Sequence, residues 1–158
     1  MNKSVLLIAL LCLCSSVSYA ANNEQELEKA CSSGNAKSCL DIAVTNLEKG
    51  RYYEASRFLY RGCLLNHGQS CAKLGDIYYS VEDVKLKSYV RAKLYYEKAC
   101  LLEYGYGCYR AAVSYGLTPG IKPDKYLAGE YYRLACQLKY EPACRMENRW
   151  GAAVPDYY

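Results

Sequence analysis

Histidine is almost absent from this chain of 158 residues, since His67 is its one copy. Zinc sites usually draw on histidines or on closely spaced cysteines, and the sequence has no C-x-x-C pattern. We therefore expect no metal site and no bound cofactor. A lone histidine in the turn-like stretch NHGQ is more typical of a solvent-facing residue than of a catalytic base.

Long runs of one charge and two common catalytic motifs are also missing. The sequence contains neither a phosphate-binding G-x-x-x-x-G-K-[ST] loop nor a G-x-S-x-G elbow. Its 20 Lys and Arg are interleaved with 16 Asp and Glu, for a net charge of +4. No basic stripe marks a nucleic-acid partner. Apolar residues make up 52% of the chain, which is enough to bury a core.

One long hydrophobic run is present, at the start of the chain. Residues 4–14 (SVLLIALLCLC) follow a single Lys and precede SSVSYA, whose small residues resemble a signal-peptidase site. This pattern predicts a signal peptide over residues 1–20, cleaved after Ala20. Cys12 and Cys14 both follow leucine, unlike the cysteine of a bacterial lipobox. We expect a secreted or periplasmic protein without a membrane span.

Cysteine is abundant in this chain, and its copies are regularly spaced. Ten cysteines less the two in the leader leave eight, in four couples that each enclose seven residues. In an exported chain this pattern favours disulfides over zinc. The repeated spacing predicts that each couple closes on itself. The expected bridges are Cys31–Cys39, Cys63–Cys71, Cys100–Cys108 and Cys136–Cys144.

The couples recur with the period of a helical repeat. Their first cysteines are 32, 37 and 36 residues apart. Apolar residues flank each couple at helical spacing, and they include tyrosine doublets that we assign to the core. The recurring positions are Ala55, Ala92 and Ala128, then Phe58, Tyr95 and Tyr131, then Leu59, Tyr96 and Tyr132. We predict about three and a half helix-pair units over residues 21–150 and a flexible tail over residues 151–158.

The residues around the couples resemble Sel1-like repeats. The matching segments are AKLGDIYY at residues 72–79, AKLYYEKAC at 92–100 and AGEYYRLAC at 128–136. The C-x₇-C spacing is similar to that of the Helicobacter cysteine-rich protein family. The resemblance implies an all-α fold, an α/α solenoid of TPR-like repeats with a disulfide at each hinge. The first unit departs from the pattern, with Ile42-Ala43 where Leu-Gly is expected.

An enzymatic alternative rests on Ser70 and Lys73, which fit the S-x-x-K motif of penicillin-recognising enzymes. The resemblance adds to it, because members of the cysteine-rich family are described as weak β-lactamase or penicillin-binding proteins. The partner motifs S-D-N and K-T-G are missing. Hydrolysis of β-lactam amides is therefore the alternative, and a protein without enzymatic activity is the main expectation.

The main prediction is a monomeric scaffold that binds a protein or peptide. In such repeats the first helices line the concave face, and Asp41, Lys73, Asp76, Tyr79 and Arg110 on these helices leave the apolar stripe. Tyr104 and Tyr106 are expected in the hinge between Cys100 and Cys108, as part of a contact surface, because tyrosine is enriched at binding hot spots. An immunity factor or an envelope-assembly factor is a further alternative.

Overall fold

The structure is a computed structural model that describes residues 23–80 and 87–150, with the backbone alone for 147–150. The predicted signal peptide (1–20), most of the connector VEDVKLKS and the predicted tail (151–158) lie outside the described residues. The described chain is a succession of helices and contains no strand. In order they are α1 (23–32), α2 (Ala36–Glu48), α3 (Tyr52–Leu64), α4 (Gly68–Ser80), α5 (Tyr89–Leu101), α6 (Gly105–Leu117), α7 (Lys125–Gln137) and α8 (Glu141–Trp150).

A disulfide crosses each of four hinges, between α1 and α2, α3 and α4, α5 and α6, and α7 and α8. The bonds are Cys31–Cys39, Cys63–Cys71, Cys100–Cys108 and Cys136–Cys144. Their Cα atoms are 4.4 to 4.6 Å apart, so the end of one helix lies directly against the start of the next. The predicted all-α solenoid with a crosslink at each hinge is confirmed.

The four hinges share one backbone conformation. Each has three residues, and the middle one has a positive φ: Gly34 (100°), Asn66 (59°), Glu103 (57°) and Lys139 (64°). The third residue of each hinge donates its N–H to the carbonyl just before the first cysteine, at 3.0 Å in every case. This is the left-handed ending that satisfies the last carbonyls of a helix. The repeated C-x₇-C spacing therefore reflects a repeated turn.

Small residues let the helices of a pair approach closely. Ala55, Ala92 and Ala128 are fully buried, as are the larger Leu59, Tyr96 and Tyr132 one turn further along. Opposite Tyr96 lies Gly75, where a Cβ atom would come within 2.6 Å of the tyrosine ring. These contacts account for the alternation of small and large residues along each apolar stripe, because a close-packed core leaves no room for two large side chains.

The helices form two rows. Across successive units α2 contacts α4, and α4 contacts α6, whereas in the described part of the chain the odd-numbered helices make fewer such contacts. We call α2, α4 and α6 the inner row and α3, α5 and α7 the outer row. The closer approach within the inner row indicates that it lies on the concave side of the array.

Candidate functional site

A cluster of polar and aromatic side chains lies where α4 of the inner row meets α6. We call Asp76, Tyr79, Tyr96, Tyr106 and Arg110 the Asp76 cluster. Oδ1 of Asp76 accepts hydrogen bonds from the hydroxyls of Tyr96 and Tyr106, both at 2.9 Å. Nη2 of Arg110 donates to the Tyr96 hydroxyl at 2.8 Å. Three helices are thus joined through one carboxylate.

The Arg110 guanidinium is held between two aromatic rings. Its central carbon lies 4.5 Å from the ring centroid of Tyr79 and 4.9 Å from that of Tyr96. Its Nε is 3.6 Å from Oδ1 of Asp76, which is an ion-pair distance but too long for a hydrogen bond. The stacked rings and the carboxylate fix a long, flexible side chain in one place.

Burial keeps Tyr96 and Tyr106 protonated. Desolvation, followed by the negative charge of Asp76, raises the pKa of Tyr96 and Tyr106 well above the ordinary value for tyrosine. For Arg110, burial by itself would lower the pKa, but Tyr96, Tyr106 and Asp76 outweigh it and raise the pKa of the guanidinium. The hydroxyls therefore act as hydrogen-bond donors, and Arg110 keeps its positive charge.

The register of the repeats explains why the cluster occurs at one junction. Tyr106 and Arg110 are one turn apart on α6 and so present their side chains together to α4. The position of Asp76, five residues after the second cysteine, is occupied by Val44 in α2 and by Val113 in α6. The equivalent site on those helices is therefore apolar. The inner-row helix α4 therefore has a charged residue at a position where α2 and α6 have valine.

The remaining predicted binding residues are distributed around this cluster. Asp41 lies on α2 and forms an exposed ion pair with Lys37, at 3.0 Å. Lys73, on α4, is partly exposed and makes no ion pair with any described residue. Asp41, Lys73 and Arg110 share one register, two residues after the second cysteine of their couples. They therefore form a column across the inner row.

Of the two tyrosines expected in the hinge, Tyr104 is its last residue and Tyr106 lies beyond it. Tyr106 lies inside the first turn of α6, and Tyr104 is the residue just before that helix. Both are partly buried, with ring centroids 6.2 Å apart, and the Tyr106 ring is 5.8 Å from that of Tyr140 in the next hinge. The Cβ atom of Tyr104 packs against Gly68 at the start of α4. Their rings join neighbouring hinges because the repeat stacks the hinges on one another.

Ser70 of the S-x-x-K motif is fully buried, with 0% of its surface exposed. Its hydroxyl lies 2.9 Å from Nδ1 of His67, at the position where the first turn of α4 packs against Gly62. A nucleophilic serine has to reach its substrate, so this burial weighs against the enzymatic alternative. The described residues also hold no group of three side chains of the His, Cys, Asp or Glu type that could bind a metal.

A second polar group on α5 and α6 was not predicted from the sequence. The Tyr115 hydroxyl donates to Oε1 of Glu97 at 2.5 Å, and Lys93 lies 3.2 Å from the same hydroxyl. Burial and the bond to Glu97 raise the pKa of Tyr115 to about 12. The Tyr131 ring stacks on Tyr115, with centroids 5.7 Å apart. The spacing of Lys93 and Glu97, one turn apart on α5, was the available signal for an ion pair.

The geometry defines a class of protein, a helical-repeat array whose hinges are closed by disulfides. Eight oxidised cysteines indicate an extracytoplasmic protein, because cytosolic thiols are kept reduced. Within the described ranges, no helix has the length and apolar character needed to cross a bilayer.

Comparison with solved structures identifies the fold more closely. The chain is similar to a Sel1 repeat protein from Oxalobacter formigenes, with a TM-score of 0.69, 22% identity, and coverage of 80% of this chain and 97% of that one. It is also similar to Helicobacter pylori cysteine-rich protein B, with a TM-score of 0.62, 27% identity, and coverage of 78% and 96%. No family model and no curated protein sequence matches the chain. The predicted resemblance to Sel1-like repeat proteins is confirmed for the fold.

Proposed function

We propose that this protein is a secreted or periplasmic scaffold that binds a protein or peptide partner on its inner row as a monomer. The observation that carries the proposal is the Asp76 cluster. It is held rigidly, yet 35% of the Asp76 side chain and 20% of the Arg110 side chain remain exposed. Helical-repeat arrays commonly present such residues along their concave surface.

The cluster retains unused hydrogen-bonding capacity. Both tyrosine hydroxyls bond to Oδ1 of Asp76, and Arg110 donates through Nη2. Oδ2 of Asp76 and Nη1 of Arg110 make no hydrogen bond to any described residue. A polar group of a partner could therefore bond to both without displacing an internal contact. A pre-ordered site of this kind reduces the entropy lost on binding.

The column of Asp41, Lys73 and Arg110 extends the site over α2, α4 and α6. It presents one negative and two positive side chains in sequence along the array. A partner segment that crosses the inner row would meet them in turn. Complementary charges on that segment would set its direction and register, which is the usual contribution of charge at an interface.

Site-specific photo-crosslinking tests which row binds. A photo-crosslinking amino acid at position 73 of the inner row should yield a covalent adduct in an extract of the cell envelope. The same amino acid at position 57, exposed on α3 of the outer row, serves as the matched control. Adducts from position 57 in the absence of adducts from position 73 would refute the proposal. The adduct also identifies the partner by mass spectrometry.

Charge reversal provides a second test that leaves the Asp76 cluster intact. Lys73 has no ion-pair partner among the described residues, and Asp41 pairs with an exposed lysine. The variant Asp41→Lys/Lys73→Glu should therefore fold normally and lose the adduct from a crosslinker placed at position 80, on the same row. Retention of that adduct would show that the column does not contribute to binding.

A further inference from the structure

An apolar groove lies on the outer side of the array, between the end of α5 and α7. We call it the α5–α7 groove. It has a volume of about 620 Å³, and its apolar lining includes Leu101, Leu127, Leu134, Leu138 and the ring of Tyr131. Leu101 is 84% exposed, and Leu127 and Leu134 are also exposed. Contiguous apolar surface of this kind marks a site of interaction.

The equivalent positions elsewhere in the array are filled differently. Leu134 lies two residues before the first cysteine of its couple, where α3 has Arg61 and α5 has Lys98. Arg61 donates to the carbonyl of Ser32, at 2.6 Å, and so bridges the end of α1. Leu127 on α7 is likewise at the position that is equivalent to Arg91 on α5. In α3 the position of Leu127 is held by Glu54, so the two earlier units have charged residues at both positions where this groove has leucines.

The charge around the α5–α7 groove is negative. The described residues that line it include Glu103 and Glu130 and no Lys or Arg. Glu130 is bound by Arg133 at 2.6 Å, while Glu103 forms no ion pair with a described residue. The corresponding hinge positions hold Gly34, Asn66 and Lys139, so the carboxylate at 103 is particular to this hinge.

We propose that the α5–α7 groove is a second interaction surface, which takes a short basic amphipathic segment of a protein partner. Aliphatic or aromatic side chains of that segment occupy the space among Leu101, Leu127 and Leu134. A Lys or Arg beside them pairs with Glu103. An anionic surface, such as a bilayer of acidic lipids, is disfavoured by the carboxylate of Glu103, which has no ion-pair partner among the described residues. The groove lies on the outer row and is separate from the inner-row site.

Fluorescence anisotropy on the mature, oxidised protein tests the groove. The probe is a fluorescein-labelled amphipathic peptide of leucine and lysine, compared with the same peptide carrying glutamate in place of lysine. We expect the lysine peptide to bind at least about tenfold more tightly, because only its charges complement Glu103. Equal affinity for the two peptides would overturn the charge argument and with it the proposal.

The repeat itself supplies substitutions that the fold already tolerates. Leu101→Gln introduces the residue found at the same position of α7, and Leu134→Lys introduces the residue found on α5. Each should weaken binding of the lysine peptide about tenfold, since loss of one buried leucine contact has about that effect. Leu64→Gln, at the equivalent exposed position of α3, is the matched control and should change nothing. An equal loss in the Leu64 variant would overturn the proposal.

Charge and self-association are tested separately. Glu103→Lys uses a residue already present at the same hinge position, Lys139, and should remove most of the preference for the lysine peptide. Sedimentation of the unliganded protein tests whether a second copy occupies the groove. A dimer that Leu101→Gln dissociates would assign the groove to self-association and overturn the proposal. A loss of binding in Glu103→Lys that is the same for both peptides would also overturn it.

Discussion

Asp76 on α4 and Arg110 on α6 form an ion pair across a repeat junction, with 3.6 Å between Oδ1 and Nε. The pair lies among two tyrosine hydroxyls that bond to the same carboxylate oxygen. Solenoid repeats contact mainly their neighbours, so the stability of the array depends on such junctions. This junction relies on a single carboxylate, which accepts from two hydroxyls and pairs with one guanidinium, at a position where α2 and α6 have valine.

Replacement of Asp76 by the residue at its equivalent positions should destabilise the protein. Asp76→Val inserts the side chain of Val44 and Val113, but it leaves the hydroxyls of Tyr96 and Tyr106 without their acceptor and Arg110 without its ion-pair partner. We expect a loss of about 1–3 kcal/mol in the free energy of unfolding, measured by urea denaturation of the oxidised protein. Asp41→Asn, which breaks an exposed ion pair, should cost less than about 0.5 kcal/mol.

A compensating change should restore part of that stability. Met146 occupies on α8 the position that Arg110 has on α6. Asp76→Val/Arg110→Met would therefore remove both charges from the junction, and the double variant should be more stable than Asp76→Val alone. If the second substitution destabilises the protein further, the penalty of Asp76→Val does not come from the unpaired arginine.

The contact of Gly75 with Tyr96 predicts a second effect on stability. A Cβ atom at position 75 would lie 2.6 Å from Cε1 of a fully buried ring. Gly75→Ala should therefore cost about 1–3 kcal/mol, since an overpacked core has to shift. In a Tyr96→Leu background, which reproduces the Leu59 of the preceding unit, the same substitution should cost much less. Additive effects in this double-mutant cycle would refute the clash.

The hinge conformation predicts substitutions that raise stability. Lys139 has a φ of 64°, a conformation that costs a residue with a Cβ atom about 1–2 kcal/mol. Lys139→Gly should increase the free energy of unfolding, while Lys139→Ala, which also removes the charge, should not. We expect about 1 kcal/mol between the two variants in urea denaturation. Indistinguishable variants would show that the left-handed turn is not strained.

Much of the fold followed from periodicity. The C-x₇-C couples indicated the hinges, and the small and aromatic residues before each couple indicated the packed face of a helix. Both signals are local. A disulfide across a three-residue hinge and the stripe of a single helix are each formed by residues that are close together in the sequence. The cysteine couples also favoured an extracytoplasmic protein, since paired cysteines persist where the environment is oxidising.

The site could be predicted only in part, because its contacts join residues from different units. Asp76 and Arg110 were selected as residues outside the apolar stripe, but nothing in the sequence indicated that they meet. Tyr96 was assigned to the core, and its ring is buried there. Its hydroxyl nevertheless bonds to Asp76, twenty residues away. A helical period identifies the face on which a residue lies, whereas contacts between repeats depend on the stacking of units.

The buried tyrosines predict a loss of stability at high pH. Among the described residues, burial raises the pKa of eight tyrosines, to about 12 for Tyr115 and Tyr132, where the neighbours Glu97 and Tyr109 add to the effect. The other six are Tyr95, Tyr96, Tyr104, Tyr106, Tyr131 and Tyr140. In the unfolded chain a tyrosine releases its proton near about pH 10. Between pH 10 and 12 the unfolded state therefore binds fewer protons than the folded state.

The sign of the effect follows from this difference. The stability contributed by a tyrosine whose pKa is raised on folding is fully present below about pH 10. It is lost as the pH rises toward the pKa of that tyrosine in the folded state. Urea denaturation of the oxidised protein between pH 8 and 11.5 should show a steep decline that begins near about pH 10. Tyr115→Phe should make the decline shallower, because one buried hydroxyl no longer has to ionise. Tyr53→Phe, which alters an exposed ring of the outer row, is the control, and an equal change in slope from both variants would contradict the assignment to buried hydroxyls.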